Sequence, residues 1–141
     1  MNYARIALAA VAATVVDAVY GFAVYGTFLT PEFERYPAVY RLGDDGMAHL
    51  PLMFAGIFVA MCMAALVYAK GYEGGSGASE GLRFGVMLGL LMAFFFGSVN
   101  YGTLIIGRKL ALEEAAAALV EWTLVGMVIG LVYKPAQGSP R

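Results

Sequence analysis

Four uninterrupted apolar stretches, Ile6–Leu29, Met47–Ala69, Phe84–Ile106 and Ala115–Tyr133, constrain this chain more than any motif does. Each approaches the roughly 20 residues that a helix needs to cross hydrocarbon. A bilayer interior offers no partner for a free backbone amide, and the stretches are too long and too evenly apolar for barrel strands. The fold class predicted is therefore all-α: a membrane-embedded four-helix bundle, one transmembrane domain over residues 1–141. Composition agrees, since 61% hydrophobic and 13% charged residues with a mean hydropathy of +0.74 leave too little polar surface to wet a globule. Ala10, Ala12 and Ala13 resemble a signal-peptide cleavage site, but the apolar run continues to Leu29, which predicts a retained span.

The connections differ in kind. Pro31–Gly46 mixes Phe33, Tyr36 and Tyr40 with six charges, as expected of an interfacial segment lying among lipid headgroups. Lys70–Arg83 is rich in glycine and serine and reads as a flexible hairpin loop, whereas Arg108–Glu114 is short and helical in propensity. The tail 134–141 has two prolines and no apolar pattern, so fraying is expected. With the N-terminus and C-terminus both in the cytoplasm, Arg5, Lys70, Arg83, Lys134 and Arg141 lie inside and Arg35, Arg41, Arg108 and Lys109 outside. That bias predicts an N-in/C-in orientation.

The halves echo each other. Gly21–Leu29 reads GFAVYGTFL and Gly97–Ile105 reads GSVNYGTLI, while Leu66-Val67-Tyr68 and Leu131-Val132-Tyr133 each end a span before a lysine. Either this marks a tandem two-plus-two repeat about an axis along the membrane normal, or it is chance similarity among apolar helices. Small residues cluster in the halves nearer the termini: Ala9, Ala10, Ala12 and Ala13; Ala60, Ala64 and Ala65; Gly81, Gly85 and Gly89; Gly126 and Gly130. Small residues four apart let helices approach closely in lipid, so this half should be the close-packed one, with the glycines as packing contacts. Large rings crowd the other half and should hold the helices apart.

Polar residues fall on that broader side: Asp17 in the first span, His49 at the mouth of the second, Asn100 in the third, and Glu121 beside Trp122 in the fourth. A carboxylate facing lipid is costly, so Asp17 and Glu121 should face the bundle interior or water. No cation lies at their depth, which favours the neutral acid as a hydrogen-bond donor. Tyr20 and position 24 share the helical face of Asp17, and position 24 matches Asn100 in the echo. Asp17, Tyr20, Asn100, Glu121, Trp122 and His49 are thus the candidate ligand or proton-site residues. Interhelical hydrogen bonding that sets register explains the polar set equally well, and His49 also suits a plain interfacial position.

Several functions are set aside. A net charge of −1 shows no basic excess for nucleic acid. One cysteine, Cys62, and one histidine cannot build a zinc site or a nucleophile pair, and Met61-Cys62-Met63 point about 100° apart on a helix, so no metal site or cofactor is expected. No nucleophile, base and orienting group occur together, so an enzyme is not expected.

The stretch Tyr68–Gly85 (YAKGYEGGSGASEGLRFG), with Asp17, Tyr40-Arg41, Glu121 and the ending GLVYKP over Gly130–Pro135, resembles an uncharacterised family of small four-helix bacterial integral membrane proteins. The resemblance spans nearly the whole chain. It implies four crossings of a bacterial inner membrane and carries no activity, substrate or cofactor. Two functions are expected. One is a membrane-embedded binding or accessory protein, either a subunit of a homo-oligomer or larger membrane complex, or a holder of a lipid or apolar small molecule in an outward-opening aromatic pocket. The other is a small proton-coupled transporter using Asp17 and Glu121.

Overall fold

The computed structural model describes residues 1–133; the expected frayed tail lies outside them. The described chain is helical: α1 (Tyr3–Ala23), a π-helical turn (Val24–Phe28), the short α2 (Thr30–Phe33), α3 (Gly43–Gly71), α4 (Gly77–Thr103) and α5 (Arg108–Val132). Four helices, α1 with its π turn, α3, α4 and α5, are long and apolar enough to cross a membrane.

The helices outrun the apolar stretches. The third begins at Gly77 rather than at Phe84, the fourth at Arg108 rather than Ala115, and α3 at Gly43 rather than Met47. Charged residues in a first turn do not stop a helix, because their side chains reach the headgroup layer while the backbone keeps its ladder. At 29 residues α3 spans about 43 Å, matching a bilayer with its headgroups. The flexible loop expected over Lys70–Arg83 is instead an ordered five-residue turn between α3 and α4. The Glu80 carboxylate accepts the Glu73 amide at 3.2 Å and the Gly75 amide as well. Gly74 takes φ +90°, a conformation that side chains resist.

Packing runs in the order α3, α1, α5, α4, and α4 against α5 is the most intimate pair. The end that carries Asn2, the α3–α4 turn and Tyr133 is narrow. Here Ala9, Ala10 and Ala13 of α1, Met61, Ala64 and Ala65 of α3, and Val125 and Ile129 of α5 form one buried cluster. Tyr68 lies 5.3 Å from Phe84 and 5.9 Å from Tyr133 between ring centroids, closing that end with a knot of edge-to-face rings.

The glycines expected to pack do so, and Gly77 joins them. A Cβ added at Gly81 would lie 2.6 Å from the Gly126 carbonyl oxygen, one at Gly85 2.6 Å from that of Thr123, and one at Gly89 2.7 Å from that of Leu119. Backbone meets backbone, and four glycines spaced by four let it. The α1–α3 pair has no such glycine seam and packs through alanines together with Ile6 and Met61, so the two hairpins are not packed alike.

The other end is wide. Before Met61 no residue of α3 is buried on any face, and nothing approaches Gly56 within 4 Å. Pro51 also removes one helical amide from this free half. Residues 30–42 do not lie free on the interface: Phe33, Tyr36, Val39 and Tyr40 pack over Ile106, Leu110 and Ala111. The Gly107 amide donates to the Tyr36 hydroxyl at 3.0 Å. Lys109 bridges Glu32 and Glu113, pinning α2 to α5.

Candidate functional site

Asp17 and Glu121 come together in the α1–α5 seam, near the level where the alanine core ends. Asp17 is the one buried charged-type residue of the described chain, 6% exposed, and takes no hydrogen-bond partner among the described residues. It lies one helical turn before Tyr20 on α1, and Glu121 one turn after Ala117 on the antiparallel α5, so the two carboxyls share a level, and neither has a lysine or arginine partner among the described residues. Tyr20 donates to the Ala117 carbonyl at 2.9 Å, clamping the same seam.

Tyr25, which helical periodicity does not place here, donates to Glu121 Oε2 at 3.2 Å. Five residues along an α-helix turn the side chain about 140° away, so Tyr20 and Tyr25 should diverge. The π turn cancels that. The Leu29 amide donates back five residues to Val24, and the Thr27 and Thr30 hydroxyls likewise donate to Phe22 and Tyr25 carbonyls. The widened turn brings Tyr25 to α5, with its ring 6.3 Å from that of Tyr20. Such π insertions gather at functional sites.

Glu114 also belongs here and was hidden by the choice of charges as span ends. It lies seven residues, two helical turns, before Glu121 on the same face of α5. Tyr40 donates to its Oε1 at 3.0 Å, while its Oε2 is buried without a partner. Burial, reinforced by the Glu114 charge, pushes the Tyr40 hydroxyl well above its ordinary range, which keeps it a donor. Asn100 stands beside Glu114 rather than with Asp17. Tyr25 lies near enough to feel both Glu114 and Glu121. A polar line thus runs from the wide-end surface to mid-bundle: Tyr40, Glu114, Tyr25, Glu121, Asp17.

Two candidates stand elsewhere. His49 is exposed on the free half of α3, its Nδ1 2.7 Å from the Asp45 carbonyl oxygen and 3.7 Å from the Asp45 carboxylate. Trp122 leans on the alanine core. No group of three metal-ligating side chains occurs among the described residues.

The rings do not line an aromatic vestibule. Phe22, Phe28, Phe54, Phe58, Phe94, Phe95 and Phe96 are exposed on the bundle's outside. The wide end instead carries a lateral groove of about 540 Å³ between α4 and α5, lined among others by Leu90, Phe94, Tyr101, Leu112 and Leu119, with Arg108 at its end. Its floor is shallow because Gly97 approaches Ala115 closely. Comparison with protein-family models, with curated proteins and with solved structures gave no match.

Proposed function

We propose that this protein is a membrane-embedded binding protein that holds a lipid acyl chain, or an apolar molecule of similar shape, in the α4–α5 groove. The groove carries the reading. Its volume of about 540 Å³ falls within the range common for ligand sites, about 300–1,000 Å³. Its walls are almost wholly apolar, and the Arg108 guanidinium at the wide end suits an anionic headgroup. The seam beside it is glycine against backbone, so the groove has a rigid wall on which to form.

The narrow end is assigned to the cytoplasm by the five-to-four lysine and arginine bias of the sequence, Arg5, Lys70, Arg83, Lys134 and Arg141 against Arg35, Arg41, Arg108 and Lys109, since an even number of crossings returns the chain to the side of its N-terminus. Headgroup contact by Arg108 then falls in the outer leaflet of a bacterial inner membrane.

Native mass spectrometry of the full chain, released from lipid in gentle detergent, tests this. A retained lipid is expected, weakened by Arg108→Gln and lost in Ser98→Phe, which fills the groove from an exposed position off the glycine stripe. A bare protein under conditions that preserve its fold overturns the reading.

A further inference from the structure

We infer that Asp17 and Glu121 form a proton-binding site loaded from the wide end alone, through Tyr40, Glu114 and Tyr25. The inference does not rest on the groove or its ligand. Asp17 is more than nine-tenths buried and without a hydrogen-bond partner among the described residues. It lies one turn of α1 before Tyr20, while Glu121 lies one turn of α5 after Ala117, to whose carbonyl Tyr20 donates, so the antiparallel helices set the two carboxyls at one level. No third ligating group of the kind a metal needs stands with the two carboxyls among the described residues. The proton is the ligand that fits. Bound, it leaves the pair with one negative charge instead of two in an apolar seam.

Access is read from the neighbours. Toward the wide end, Tyr25 touches Glu121 Oε2, Tyr40 touches Glu114 Oε1, and the second Glu114 oxygen is buried and free to accept. A proton taken by Glu114 from wide-end water passes inward when Tyr25 gives its own hydroxyl proton to Glu121 and regains one from the Glu114 side. Tyrosine ends neutral, and one proton has moved. The step from Glu114 to Tyr25 is the long one, since two turns of α5 cover about 10 Å, and it needs bridging water.

Toward the narrow end the line stops. Ala13, Ala10, Met61, Ala65, Val125 and Ile129 are buried and apolar, and the one hydroxyl of α1 between Arg5 and Asp17, that of Thr14, is bonded to the Ala10 carbonyl at 2.8 Å. The groups facing the site are Asp17, Tyr20 and Tyr25 from α1, Glu114 and Glu121 from α5, Tyr40 from the segment before α3, and neutral Asn100 from α4. No charged side chain of α3 acts on either carboxyl.

Dicyclohexylcarbodiimide, which adds to protonated carboxyls in apolar surroundings, tests the site in the full chain held in liposomes, with the modified residue found by peptide mapping. Labelling of Asp17 or Glu121 should fall as pH rises. No labelling at any pH, or labelling that ignores pH, overturns the site. Wild-type protein suffices here, so a misfolded variant cannot blur the result. In vesicles of known protein orientation, labelling should follow the pH on the wide-end side and ignore that on the other, and equal response to both refutes one-sided access. After a pH jump, Tyr25→Phe and Glu114→Gln should each slow the change in labelling about tenfold or more. Unchanged rates in both remove the path.

Discussion

Replacing Gly85 by alanine should weaken the bundle, although alanine is the better helix former. An added Cβ there would lie 2.6 Å from the Thr123 carbonyl oxygen, 2.8 Å from that of Trp122 and 2.9 Å from the Thr123 Cα. All three are backbone atoms of α5, so no side chain can rotate out of the way. Ordinary contact begins near 3.4 Å, and α4 and α5 must part by about 0.8 Å to reach it. A gap of that size forfeits a quarter to a half of the dispersion energy along the seam. Forced overpacking costs about 1–3 kcal/mol, from which a helix-propensity gain of about 1 kcal/mol is subtracted. The expected net effect is a loss of up to about 2 kcal/mol. Gly56→Ala supplies the opposite sign, because nothing lies within 4 Å of the new methyl and the gain of up to about 1 kcal/mol stands alone. Reversible unfolding in mixed micelles of rising dodecyl sulfate, followed by circular dichroism, measures both. Gly126→Ala, which meets the Gly85 backbone from the other side, should add little to Gly85→Ala since one separation relieves both. A Gly85→Ala protein stabilised as much as Gly56→Ala would falsify the close-packed seam.

Tyr68→Phe should leave stability unchanged or raise it by about 1 kcal/mol in the same unfolding assay, because the buried Tyr68 hydroxyl has no partner and its removal ends an uncompensated desolvation. A loss beyond about 1 kcal/mol would mean an unseen bond. Glu80→Ala removes the acceptor of two turn amides and should cost about 1–2 kcal/mol, with faster hydrogen exchange at Glu73 and Gly75; unaltered exchange there speaks against the capping role. The Lys109 ammonium bonded to Glu32, aided by Arg35, holds this carboxyl below its ordinary value of 4.5. A depressed carboxyl contributes stability above that ordinary value and loses it as pH falls through the lowered one. Hydrogen exchange over residues 30–42 should therefore stay slow down to pH 4.5 and quicken only below it, and Lys109→Gln should shift the change upward; exchange that is indifferent to acid argues against α2 being pinned by this pair.

The parts of the fold that follow from a single periodicity were legible in the sequence. Gly81, Gly85, Gly89, Gly126 and Gly130 repeat every four residues, and the seam they form is the one expected of them. Asp17, Tyr20 and Glu121 were legible because a carboxyl in hydrocarbon has few places to turn. What escaped did so for two physical reasons. Charges marked the ends of apolar runs but not of helices, so Glu113, Glu114 and the Glu80 cap were assigned to connections when the helical ladder runs through or up to them. A π turn changes the angular step mid-helix, and nothing in Val24–Phe28 announces it: the threonine hydroxyls that match its wider carbonyl spacing are common in ordinary helices too. Tyr25 was thus a ring among many until backbone geometry set it against Glu121. The rings of the wide half misled in another way, since bulk was read as a wedge between helices, whereas Phe94, Phe95 and Phe96 lie on the outside where lipid takes their area.

The two ends of the bundle are mechanically unlike, and this restricts what any bound molecule can do to it. At the narrow end α4 and α5 touch through backbone, and alanines bring α1 against α3, so little can move without parting several helices at once. At the wide end α3 is free over its first half, and the polar line ends at a surface segment held by a few side-chain bonds. Motion should then be a pivot about the narrow end, widening or closing the other. Such a pivot changes access to Asp17 from one side only. Passage through the molecule would require opening the glycine seam and the alanine core together, so a protein that carried a proton or solute across would have to borrow the second half of its path from another copy.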